Sequence, residues 1–302
     1  MTSSDTPSSF DFNAYCVAHR HTVDTALASH LPPENQPPEI LHKAMRYSVL
    51  AGGKRLRPLL CLAACEACGA PAHTALLPAI AIEILHTYTL IHDDLPCMDN
   101  DDLRRGRPTS HKVFGEANAL LAGDALLTLA FEWLARSQPH APRTSADLVR
   151  TLADAAGHRG VIAGQIEDLA AEGASPSAAR VESIHRLKTA ALLRAAVLLG
   201  GLSAGADDDC LAALSRYGEA AGLAFQIADD LLNETSTPEQ LGKAAGSDRE
   251  REKMTYVRVF GLEAAQRRAE TLTMEACDAL SKFPGSVEPL RAFARYTIAR
   301  KS

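Results

Sequence analysis

From about residue 39 onward, long apolar-periodic segments alternate with short breaks, and that pattern confines the chain to helices. The spacing predicts helices over roughly 39–51, 55–68, 75–95, 111–136, 145–170, 177–201, 207–233, 261–282 and 286–300. Breaks fall at Gly52-Gly53, Gly69-Ala70-Pro71, 137–142, 172–176 and 200–205. Pro32, Pro33, Pro37 and Pro38 mark a loop after an earlier helix. No run alternates apolar and polar residues between turn signals, so no sheet is expected. Ala and Leu dominate and aromatics make up only 5%, which also favours helix over strand. The fold class is therefore all-α. With 46% hydrophobic residues and no linker between two cores, one domain over 13–302 is expected, after a disordered lead at 1–12.

The net charge of -6 argues against a nucleic-acid partner. The first ten residues carry no basic stretch leading into an apolar one, so no signal peptide is expected. No charge-free stretch is long enough to span a membrane; the best candidate, 189–206, carries Arg194 and glycines. The seven cysteines form no spaced framework, and a reduced, cytoplasmic setting is the expectation. Cys61, Cys65 and Cys68 lie on one helical face, which favours core packing over a zinc site.

Two acidic clusters carry the chemistry. The first is His92-Asp93-Asp94-Leu95-Pro96-Cys97-Met98-Asp99, followed by Asp101 and Asp102. Pro96 disfavours helix at Leu95, which leaves Asp93 and Asp94 in a last turn, where they repel each other and the helix dipole. Asp99 then lies on a loop able to fold back toward them. So many carboxylates together suit a hard cation such as Mg²⁺. Taken alone, the cluster reads equally well as a solvated helix end. The second cluster is a stripe of Gln226, Asp229, Asp230 and Asn233 on an otherwise apolar segment. Carboxylates on such a helix need a polar cavity or a cation to face.

Basic residues complete the pattern. Gly52-Gly53-Lys54-Arg55 with Arg57 opens a helix and offers backbone N–H groups and cations to phosphate. Arg104 and Arg105 follow the first acids; Lys188, Lys243 and Lys253 lie near the second. Acids for metal and bases for phosphate point to diphosphates bridged by metal. His86 and His92 beside Asp93 also fit a metal phosphohydrolase, but that leaves the second Asp-Asp pair and the lysines unused.

In this order, Gly52-Gly53-Lys54-Arg55-Leu56-Arg57-Pro58, His92-Asp93-Asp94 through Asp99 to Arg104-Arg105-Gly106, Lys188-Thr189, Phe225-Gln226 with Asp229-Asp230, Gly242-Lys243 and Lys253 to Tyr256 resemble the trans-isoprenyl diphosphate synthases, most of all bacterial farnesyl diphosphate synthases. The resemblance runs from about residue 40 to the C-terminus. It implies an isoprenoid synthase fold, a bundle of antiparallel helices around a deep central cavity, and a homodimer. It implies that Asp93, Asp94, Asp99, Asp229 and Asp230 hold Mg²⁺, three ions per site. Arg104, Lys188, Lys243 and Lys253 would bind the allylic diphosphate. Lys54, Arg55, His86 and Arg105 would bind isopentenyl diphosphate, with Arg57 a weaker candidate. Lys188, Thr189 and Gln226 would act at the reacting centre, the latter two bordering the developing carbocation.

The implied reaction joins isopentenyl diphosphate to dimethylallyl or geranyl diphosphate, giving farnesyl diphosphate. Tyr88 and Thr89, five and four residues before Asp93, would form the floor that stops growth at fifteen carbons. A geranyl- or geranylgeranyl-forming relative would use the same machinery, and a terpene cyclase would lack Gly53-Lys54-Arg55. One departure stands out: Asn233 occupies the last position of the second motif, where the family has Asp. That leaves a non-catalytic partner subunit as a reading of a different class.

Overall fold

The computed structural model describes residues 10–235 and 253–299. Its elements are α1 (Phe12–His30), α2 (Glu39–Val49), α3 (Leu56–Ala67), a 3₁₀ turn at Ala72–Ala75 running into α4 (Leu76–Asp93), a two-stranded hairpin of β1 (Leu103–Arg104) and β2 (Arg107–Pro108), α5 (Ser110–Phe114) and α6 (Glu116–Arg136). Then come α7 (Ser145–Ala156), α8 (Val161–Leu169), α9 (Ala178–Ile184), a π-helical segment (His185–Ala190), α10 (Ala191–Ser203), α11 (Asp208–Thr235), α12 (Tyr256–Phe260), α13 (Leu262–Ala279) and α14 (Glu288–Ala299). The all-α architecture expected from the sequence is the one observed.

The centre of the bundle is α4, apolar on nearly every side, as a helix enclosed by others must be. It packs against α3 and α6, while α10 packs on α3 and α11, and α11 on α13. Helix ends follow local chemistry. Asp11 accepts the Ala14 N–H and caps α1, and Phe12 packs edge-on against Phe293. Thr144 and Asp147 form a capping box at α7. Asp207 accepts the Cys210 N–H where α11 begins. The buried Tyr217 hydroxyl donates to Leu290 O at 2.7 Å and ties α11 to α14.

Three expectations are corrected. The 145–170 segment is two helices, broken between α7 and α8 at 157–160, and 111–136 is broken by Gly115 at φ 84°. A short hairpin does form, pairing Leu103 with Pro108 and Arg104 with Arg107. Two helical stretches, Ala72–Asp93 and Glu116–Arg136, are long and apolar enough to cross a membrane; each carries charge, and 67% of the first is buried inside the protein, as a core helix requires.

The packing that sets up the site is the contact of α8 with the π segment. Gly164 lies so close to the backbone of Leu187 and Lys188 that a Cβ would collide with the Lys188 amide nitrogen. This approach brings Asp168, one turn on, within reach of Lys188. Gly164→Ala should destabilise the fold by about 1–3 kcal/mol through overpacking. The check is urea denaturation, with an unchanged midpoint arguing that the two segments do not need this closeness.

Candidate functional site

A cavity of about 540 Å³ opens among α4, the 95–104 loop, α8, the π segment, α11 and Lys253. At its mouth the chain folds back after α4: the Asp99 N–H donates to the Asp93 carbonyl at 2.8 Å, and Asp93 and Asp99 both line the cavity. Across from them, Asp229 of α11 also lines it. Burial raises the Asp93 carboxyl above its ordinary range against the pull of Lys188, and Asp99 adds to the rise. A bound cation would relieve both effects.

Each Asp-Asp pair divides its labour. Asp93 and Asp229 face the cavity, whereas Asp94 and Asp230 are buried and turned to other partners. Asp94 takes a fork of hydrogen bonds from Arg104 Nε, at 2.7 and 2.9 Å. Asp230 accepts from Gln226 Nε2 at 3.0 Å and from the Tyr256 N–H at 2.7 Å, with His185 Nε2 at 3.3 Å. Asp94 and Asp230 are both expected to hold metal; in this structure their oxygens face protein donors. Among the described residues, no three His, Cys, Asp or Glu side chains form a cage for an ion. Asp93 and Asp99 on one wall and Asp229 on the other nonetheless suit Mg²⁺, which takes one or two carboxylates and completes its shell with water and substrate phosphate.

The cations sit among these acids. Lys188 donates to Asp168 at 2.6 Å; burial works against its charge, but Asp168 and Asp93 hold its pKa above the usual lysine range. Lys253 stands 3.6 Å from Asp99, and Arg104 lines the cavity beside Asp94. Lys243 lies outside the described residues. Thr189 lines the cavity and donates to Gln226 Oε1 at 2.7 Å, so Gln226 supports Thr189 and Asp230 together.

At the Gly-Gly turn, Gly53 adopts φ +136°, and a Cβ there would stand 2.6 Å from Arg105 Nη1. Arg105 crosses that bare backbone and donates to Gly52 O. Lys54 is exposed beside it. Arg55 does not line the cavity. Its left-handed backbone, φ 51°, turns the side chain inward, where it meets Asp24 at 2.8 Å, Glu83 at 2.8 Å and the Val49 carbonyl at 2.8 Å. Arg57, by contrast, lines the cavity with His86, and its buried Nε has no partner among the described residues. Burial, reinforced by Arg105, pulls Arg57 down to about 10, still charged at neutral pH. Burial, with Arg57 and Arg105 adding to it, holds His86 well below its ordinary 6.5.

Tyr88 is buried in the cavity wall, edge-on to His92 at 5.4 Å, and Thr89 lines the same wall. Burial, aided by Asp93, pushes the Tyr88 phenol up to about 12, so it stays neutral. Leu120, Val161, Ile162 and Ile166 complete an apolar wall. Sequence reasoning missed Asp168 and Gln165. A signal was present: Gln165-Ile166-Glu167-Asp168 repeats the pattern of Gln226-Ile227-Ala228-Asp229 on a second helix.

Arg55→Met would leave Glu83 and Asp24 without their buried partner and should cost about 3–5 kcal/mol; Arg57→Met should leave stability near wild type, both read by urea denaturation. His86 binds a proton less readily folded than unfolded. Its contribution to stability is complete above about pH 6.5 and is lost as pH falls, at up to about 1.4 kcal/mol per pH unit. His86→Gln should therefore flatten the loss of stability between about pH 7 and 5, and parallel curves for variant and wild type would refute this.

Known proteins resemble this chain in sequence and in fold. The polyprenyl synthetase family model matches residues 38–287. Geranylgeranyl pyrophosphate synthase 12, chloroplastic, of Arabidopsis thaliana is 47% identical over 99% of this chain and 84% of its own length. The crystal structure of an FPP/GFPP synthase from Zymomonas mobilis superposes with TM-score 0.85 at 40% identity, over 95% of this chain and 98% of the other. That of geranylgeranyl pyrophosphate synthetase from Pyrococcus horikoshii gives 0.86 at 30% identity, over 96% and 98%. With the cavity, its acids and its cations in the same chain, this protein belongs to the polyprenyl synthetase family and is a prenyltransferase.

Proposed function

We propose that the chain adds isopentenyl diphosphate to allylic diphosphates and carries elongation to the twenty-carbon geranylgeranyl diphosphate. The observation that carries the chemistry is Asp93 and Asp99 on one wall of an apolar cavity and Asp229 on the other, with Arg104, Lys188 and Lys253 among them. Mg²⁺ bound there supplies Lewis-acid stabilisation of the departing diphosphate. Arg104, Lys188 and Lys253 hold the allylic diphosphate and neutralise the charge that grows as its C–O bond breaks. Lys54, Arg57, His86 and Arg105 present isopentenyl diphosphate. Its double bond attacks the allylic cation, a new C–C bond forms, and a proton passes to the released pyrophosphate. Thr189, with its hydroxyl proton committed to Gln226, turns its oxygen lone pairs to the cation. The apolar wall keeps water away until the bond is made.

The twenty-carbon product is supported by the geranylgeranyl-forming relatives from Arabidopsis thaliana and Pyrococcus horikoshii. A fifteen-carbon stop is a second reading, favoured by the buried Tyr88 ring in the cavity wall and by the likeness to the Zymomonas mobilis FPP/GFPP synthase. A partner subunit without activity is disfavoured, because Asp93, Asp99 and Asp229 all face the cavity and only Asn233, in the last turn of α11, departs from the motif. A homodimer is part of the proposal, supported by the apolar Leu120 and Leu121 left exposed on α6.

The test is chromatography of products from purified protein, Mg²⁺, labelled isopentenyl diphosphate and either dimethylallyl or geranyl diphosphate. Geranylgeranyl diphosphate is expected. Farnesyl diphosphate alone would hand the product to the second reading, and Tyr88→Ala should then lengthen it to twenty carbons. A folded chain that turns over neither substrate would overturn the enzymatic reading.

A further inference from the structure

His185 is used by none of the steps above, yet it sits where three parts of the site meet. It opens the π segment, three residues before Lys188, and is 4% exposed. Its Nε2 lies 3.3 Å from Asp230 Oδ2, and its ring stacks on Tyr256 with centroids 6.2 Å apart and planes 29° from parallel. Its Nδ1 is buried and has no hydrogen-bond partner among the described residues.

The two nitrogens define the role. Asp230 is acceptor-only and buried, so the tautomer with its proton on Nε2 is the one that this 3.3 Å approach favours. That leaves Nδ1 a bare buried acceptor, which costs stability that an apolar side chain of similar size would not. The imidazole is therefore explained by Asp230 and not by packing. Asp230 is in turn the hub of the second acid helix. It fixes the Gln226 amide so that Oε1 faces Thr189, it directly follows Asp229 in the chain, and it holds the N–H of Tyr256, three residues after Lys253. A shift of Asp230 moves all of these together.

We propose that His185 is a positioning residue that clamps Asp230 through Nε2–H, and so aims Asp229, Thr189 and Lys253 at the diphosphate leaving group. This rests on the proposed prenyl transfer. It predicts damage confined to the leaving-group side, because no hydrogen bond or ion pair among the described residues joins Arg57, His86 or Arg105 to the clamp.

The experiment compares His185→Leu with His185→Gln, whose amide can again donate to Asp230. kcat, the KM for each substrate and the binding of inorganic pyrophosphate with Mg²⁺ by calorimetry are measured, with Tm as a control. His185→Leu should lose about 10- to 100-fold in kcat and at least tenfold in pyrophosphate affinity, as outer-shell losses do. The KM for isopentenyl diphosphate should stay within about twofold of wild type. His185→Gln should recover most of both losses. Should His185→Leu not fold, His185→Gln alone decides: activity near wild type supports the clamp and a loss matching a lowered Tm overturns it. A kcat within twofold in His185→Leu, equal damage to both substrates, or no recovery in a well-folded His185→Gln each refutes the assignment. If wild type makes no product, the functional reading fails and the pyrophosphate titration alone judges the clamp: tighter binding by wild type than by His185→Leu supports it, and equal binding refutes it.

Discussion

Like charges gathered at a low-dielectric cavity repel one another, and the rest of this molecule is arranged around that repulsion. Asp93, Asp99, Asp168 and Asp229 come together on four separate stretches of chain, and each could not be held there without a cation nearby. Lys188 answers Asp168, Lys253 answers Asp99, and Arg104 is delivered by Asp94. Burial, with Asp99 close by, raises the Asp93 carboxyl against the pull of Lys188, and a divalent ion bound there with a diphosphate would favour its charged form. Helix packing serves this arrangement: the close approach of α8 to the π segment and the turn-back of the 94–99 loop are the two devices that bring distant acids into one site.

The sequence was most legible where a single local rule decides the outcome. Apolar periodicity located the helices, and Pro96 located the end of α4. It was less legible where direction depends on backbone twist or on a distant partner. Arg55 and Arg57 are two residues apart and chemically identical. Only the left-handed turn at Arg55 decides that one enters the core and the other the cavity. Within each Asp-Asp pair, adjacent carboxylates point about 100° apart around the helix, and which one faces inward depends on Arg104 and Tyr256. The hairpin is too short for alternation to reveal. Asp168 was overlooked because it is one acid on a mixed helix, although its Gln-Ile-x-Asp pattern matches that of the second motif.

Product length illustrates a different limit. Catalytic groups must meet to within a hydrogen-bond length, so they leave motifs. A cavity wall needs only volume and apolarity, and Tyr88, Leu120, Val161 and Ile162 share that duty among three helices. Resemblance in the motifs thus fixes the reaction class well before it fixes how long a chain the cavity admits.

The π segment has a consequence for how the gene can change. A six-residue stretch with wider hydrogen-bonded turns, His185–Ala190, carries more residues per turn than the α-helices on either side of it. Removing one residue there would let the whole run from α9 into α10 close as regular α-helix. The wide turn already absorbs one residue more than an α-turn, so the helices on either side would keep their register, and the side chains inside the segment would be re-aimed. His185 and Lys188 could not both keep their places while Leu192 stayed in the wall. A change in the length of this stretch therefore acts on the site itself and not on the helices that flank it.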